Sequence, residues 1–96
     1  MVRVWLDEVG YVESLKEYVR FFLPEEKTVV TKMQIGEIER MLEGAQFFRI
    51  HRSYLVALCH IESFSSTKVT VGGRQIPIGR QYKEETLAVL EQLIRM

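Results

Sequence analysis

The chain has 96 residues, thirteen basic and thirteen acidic side chains, zero formal net charge and a single cysteine. That length suits one domain, residues 1–96, with a modest core and no obligatory disulfide or metal staple. Cys59 alone excludes an intrachain disulfide and a cysteine-rich zinc site, and no apolar run approaches the roughly 20 residues of a membrane-spanning helix.

The N-terminal MVRVWLDEVG has acids where a signal peptide has its apolar segment, so a cytoplasmic location is expected, with Cys59 as a core thiol. Val2, Val4 and Leu6 alternate with Arg3, Trp5 and Asp7, the period of two of a half-buried strand, and Glu8 to Gly10 break it. Tyr11 to Ser14 and Tyr18 to Leu23 predict a hairpin with Lys16 at its tip, Val19, Phe21 and Leu23 facing one way. Pro24, Glu25 and Glu26 make the next turn, and Lys27 to Thr31 a β-branched strand.

Thr31 followed by Gln34 matches a capping box, and Ile35, Ile38 and Leu42 share one helical face that Gly44 ends. The opposite face carries Glu37, Glu39 and Glu43, which marks this helix as a scaffold element rather than one that enters a DNA groove. Phe47 to His51 and Tyr54 to Leu58 then alternate as two strands whose phase breaks at Arg52 and Ser53. A further strand is expected over Cys59 to Phe64. Lys68 to Val71 and Arg74 to Ile78 flank Gly72-Gly73, a hairpin link of two glycines, and Pro77 fits an edge strand. A second helix follows Gly79 and Arg80, with Glu84 and Glu85 in its first turn and a stripe of Leu87, Leu90 and Ile94, Leu93 beside it. The sum is a mainly β fold of small stacked antiparallel sheets with two short helices.

Three function classes compete. His51, Ser53, Cys59 and His60 include nucleophile and base types, but no Gly-x-Ser-x-Gly elbow, orienting acid or phosphate-binding glycine loop accompanies them, so neither catalytic residues nor a metal or cofactor is expected. A protein-interaction module would use exposed aromatics, Trp5, Tyr11, Phe22 and Phe47, and open sheet edges. Nucleic acid is the third. Residues 49–83 hold six cations, Arg49, Arg52, Lys68, Arg74, Arg80 and Lys83, against the lone acid Glu62, a local +5 that can focus a positive field on one surface. Arg52 and Arg80, each beside a turn residue, suit base reading, since a guanidinium can donate two bonds to guanine O6 and N7. Arg49, His51, Ser53, Tyr82 and Lys83 suit phosphate contact or bracing of the loop.

The ordered set Tyr11-Val12-Glu13-Ser14, Lys16, Tyr18-Val19, then Phe48-Arg49-Ile50-His51-Arg52-Ser53-Tyr54-Leu55-Val56, then Ile76-Pro77-Ile78, Arg80 and Tyr82-Lys83 resembles the LytTR family, DNA-binding output domains of bacterial response regulators. The resemblance spans nearly the whole chain. It implies a transcriptional regulator that reads promoter repeats in double-stranded DNA through loops in successive major grooves. It also implies a homodimer on paired repeats and control either by a phosphorylatable receiver domain in the parent chain or, for a stand-alone regulator, by another chain. On its pattern Arg52 and Arg80 match base-contacting positions, and a third such position falls at Lys16. Ala57 stands where the family usually has asparagine, so the buried polar bond of that side chain is missing.

Overall fold

The computed structural model describes residues 5–42, 44 and 46–94. Among the described residues, eight strands form two antiparallel sheets. The larger contains β1 (Tyr11–Leu15), β2 (Tyr18–Phe22), β3 (Thr28–Thr31), β4 (Phe47–His51) and β5 (Tyr54–Ala57) in the order β3-β2-β1-β5-β4. The smaller contains β6 (Ile61–Phe64), β7 (Lys68–Val71) and β8 (Arg74–Pro77) in sequence order. Helix α1 (Ile35–Met41) links β3 to β4, and α2 (Lys83–Ile94) closes the described chain.

The larger sheet is buried on both faces. Val12, Val19, Phe21 and Leu55 pack with Ile35, Ile38 and Leu42 of α1 and its C-terminal flank, while Tyr11, Ile50 and Val56 pack with Val69, Val71 and Ile76 of the smaller sheet and Leu90 of α2. This explains why Leu55, Val56 and Ala57 are consecutively apolar: a strand covered on both sides has no wet face to alternate toward. Ala57 is buried and its N–H donates to the Gly10 carbonyl at 2.9 Å, so the small side chain leaves no unmet backbone donor there.

Several expectations hold. Both predicted hairpins close, Tyr11 opposite Phe22 through Leu15 opposite Tyr18, and Lys68 opposite Pro77 through Val71 opposite Arg74. Gly72 and Gly73 both take positive φ, 57° and 78°, the requirement of a type I′ link. Pro77 ends the edge strand β8, where a missing N–H costs no ladder bond.

Others are corrected. Val2, Val4 and Glu43 lie outside the described residues; Leu6 belongs to a 3-10 turn, Leu6–Glu8, and is exposed. Thr31 does not cap α1: it pairs with Val19 as the last residue of β3, and Gln34 occupies the N-cap with no side-chain hydrogen bond. The strand expected from Cys59 starts two residues later, because Leu58–His60 is a 3-10 turn that rotates Cys59 outward, so the thiol is exposed and not in the core.

Candidate nucleic-acid interface

The β4–β5 link has only two residues, Arg52 and Ser53, and neither has positive φ. It therefore departs from the primed turns whose twist matches paired strands, and the ladder shifts register between Arg49 and His51 just before it. Side chains supply the missing support. The Arg49 guanidinium donates through Nε to the His51 carbonyl at 3.0 Å and through Nη2 to the Arg52 carbonyl at 2.6 Å. His51 Nδ1 accepts the Ser53 N–H at 3.0 Å, which requires that nitrogen to be unprotonated. Burial first, then the Arg52 and Arg49 charges, hold the His51 pKa below its ordinary value, favouring that neutral ring. With its backbone secured, the Arg52 side chain projects into solvent.

Two other turns are tied to this one. The Ser14 N–H donates to the Ser53 carbonyl at 2.8 Å, which sets the tip of the β1–β2 hairpin beside the Arg52 turn. Lys16, at that tip, is exposed and has φ 56°. The Gly79 N–H donates to the Ile50 carbonyl at 2.7 Å, which holds the 3-10 turn Arg80–Tyr82 against the end of β4. Contact here is close: a Cβ on residue 79 would stand 3.1 Å from the Tyr82 ring and 3.4 Å from both the His51 Cα and ring, so glycine lets the two segments meet. The Ser65–Thr67 turn arrives at the same place, since the Ile78 N–H donates to the Thr67 carbonyl at 2.9 Å, a neighbour that sequence periodicity did not single out.

The sequence-predicted residues thus divide. Lys16, Arg52, Arg80 and Lys83 are exposed at one end of the domain, with no side-chain hydrogen bond or ion pair to another described residue. Ser53 and Tyr82 are half-buried among them. Arg49 is different: only 17 % of its side chain is exposed, all three of its nitrogens are engaged, and Nη1 meets Glu39 Oε1 of α1 at 2.7 Å. The +5 stretch is consequently not one surface. Arg49 is neutralised by Glu39, Lys68 bonds Gln75, and Arg74 sits 5.4 Å from the Phe22 ring, which is at the opposite end of β2 from Tyr18 and the Lys16 turn. Strand pairing folds the linear block over two sheets, which a count along the chain cannot register.

The remaining sequence candidates lie elsewhere. His60 Nε2 is 2.7 Å from the Asp7 carbonyl, away from His51 and Ser53. Of the four aromatics proposed as a patch, Tyr11 is buried, Phe22 stacks on it at 4.1 Å, and Phe47 packs toward α1; Trp5 is 59 % exposed. A cavity of 330 Å³ opens beside the Tyr11–Phe22 stack, rimmed by Glu8, Glu25, Glu26 and Arg74, at the end away from Arg52. Tyr54 joins the two regions: its hydroxyl donates to Glu13 at 3.2 Å while its ring lies 5.3 Å from that of His51. Burial and the Glu13 carboxylate push the Tyr54 pKa up, so it stays a donor.

A two-sheet, mainly β domain with unpaired cations gathered at one end has the form of a nucleic-acid-binding domain. The chain belongs to the LytTR family: the model of the LytTr DNA-binding domain matches residues 1–91. It is similar to a solved LytTr DNA-binding domain from Bacillus cereus, described as part of a methyl-accepting/DNA response regulator. That match has a TM-score of 0.80 and 26 % identity over 93 % of this chain and 86 % of that one. It is also 40 % identical over 55 residues, 50 % of this chain, to the CO-responsive transcriptional regulator RcoM of Rhodospirillum rubrum, of whose length it covers 23 %.

Proposed function

We propose that this domain reads double-stranded DNA by sequence, as the output domain of a bacterial transcriptional regulator. The observation that carries the reading is the pair of backbone hydrogen bonds, Ser14 to Ser53 and Gly79 to Ile50, that gathers three separate turns at one end. Arg52 and Arg80 read base edges in the major groove, where each guanidinium donates two bonds to a guanine. Lys16 reads a third position. His51, Ser53, Tyr82 and Lys83 contact phosphate or support the loops, which fixes the register of the protein on the duplex. Arg49, its donors occupied, braces the Arg52 turn.

In this reading the domain acts as a homodimer on paired promoter repeats, in a parent chain with a receiver domain. Its family and its likeness to a domain described as part of a response regulator support that setting. The test is selection of bound sequences from random duplex DNA at fixed, stated salt, since affinity falls steeply with salt. The expected result is a repeated short motif. Recovery of no motif would overturn the reading and favour a protein-interaction module.

A further inference from the structure

We infer that Glu39, on the outer face of α1, is a positioning residue for Arg52 and so a determinant of sequence preference. The inference rests on the DNA-reading role proposed above, but its support is geometric. The Arg52 turn lacks the backbone conformation that would make it self-supporting, and the Arg49 guanidinium holds two successive carbonyls in it. The remaining nitrogen of that guanidinium, Nη1, is the one that reaches outside the loop. Glu39 Oε1 meets it at 2.7 Å, across ten residues of sequence, and thereby ties the loop to the helix that packs on the sheet.

The pair is partly exposed, Glu39 at 47 % and Arg49 at 17 %, and such pairs add little to overall stability. Its value is orientation. Released from Glu39, Arg49 can swing toward solvent and leave the His51 and Arg52 carbonyls without their donor. A second consequence separates this role from simple electrostatics. Deleting an acid near a DNA-contacting surface should strengthen binding to every sequence, because it removes repulsion of phosphates. A positioning role demands the reverse.

The experiment uses the same random-duplex selection with wild type, Arg52→Ala, Arg80→Ala and Glu39→Ala, followed by titration on the selected site. The two arginine variants assign which base preference belongs to which side chain. Glu39→Ala should bind the selected site about tenfold more weakly and flatten the preference assigned to Arg52 while keeping the one assigned to Arg80. Glu39→Gln keeps an oxygen acceptor without the charge and should fall between. Thermal melting of each variant reports folding; if Glu39→Ala is unfolded, Glu39→Gln carries the same comparison. Equal or tighter binding by the Glu39 variants, or equal loss under both arginines, would overturn the inference while leaving the DNA-reading role standing. Loss of no preference in Arg52→Ala would overturn the inference together with the base-reading role of Arg52, while recovery of no motif by the wild type would overturn the DNA-reading role itself.

Discussion

Two two-residue links at opposite ends of the domain, β7–β8 and β4–β5, are shaped in different ways. At the end away from Arg52, the conformation of the β7–β8 link comes from its backbone, two glycines at positive φ, and one side chain adds to it where Glu62 accepts the Gly73 N–H at 3.0 Å. At the other end the β4–β5 link takes negative φ and depends on Arg49, His51 and Glu39 for its form. A glycine turn adopts its shape without side chains of its own and so presents none. A braced turn needs partners, and in exchange its two residues are available for Arg and Ser. Charge follows the same division, with Glu8, Glu25 and Glu26 around the cavity at one end and unpaired Lys16, Arg52, Arg80 and Lys83 at the other.

The largest expected effects fall at the braced end. Arg52→Ala and Arg80→Ala should each cost about 1–3 kcal/mol on a selected site and relax the base preference beneath it, measured by fluorescence anisotropy titration. Arg74→Ala, a cation of the same type at the far end, should leave affinity nearly unchanged; a comparable loss there would erase the contrast between the ends. Next in size, Gly73→Ala forces a Cβ onto a residue at φ 78° and should destabilise folding by about 1–2 kcal/mol in urea titrations. Its DNA affinity, corrected for the folded fraction, should match wild type.

Smaller effects sharpen the division. Lys83→Ala should weaken binding to all sequences alike and lower the salt slope by about one unit, whereas an unchanged slope removes Lys83 from phosphate contact. The smallest is a pH effect. The folded-state pKa of His51 is depressed, so the folded chain binds fewer protons than the unfolded one. The stability that neutral His51 contributes is therefore complete above the ordinary histidine pKa of about 6.5 and is lost as pH falls below it toward the folded value. Between pH 7.5 and 5.5 the wild-type melting temperature should drop more than that of His51→Gln; parallel drops would show that the Ser53 N–H bond carries no such dependence.

Much of the scaffold was legible from local pattern. Alternation located the hairpins, and Gly-Gly and Pro24 located turns, because these signals act over a few residues. What failed was each case where a distant partner outbid a local signal. Thr31 has the spacing of a capping residue, yet the ladder to Val19 claims it for β3. Cys59 continues an alternating run, but the 3-10 turn that carries the chain from one sheet to the other breaks the period. Glu39 belongs to an acidic helix face that looked purely solvated, and its tie to Arg49 depends on how α1 docks beside β4. Arg52, Arg80 and Lys16 were picked out by residue type and family pattern; that their turns adjoin follows only from the strand order.

The central claim is that DNA is met by the braced end alone, and backbone amide chemical-shift mapping during titration with a selected duplex tests it most directly. The account predicts shifts concentrated in residues 14–17, 49–54 and 78–83, with residues 25–26 and 72–74 unmoved. Shifts concentrated around Glu25, Gly72 and Arg74 instead, with Arg52 and Arg80 silent, would contradict it.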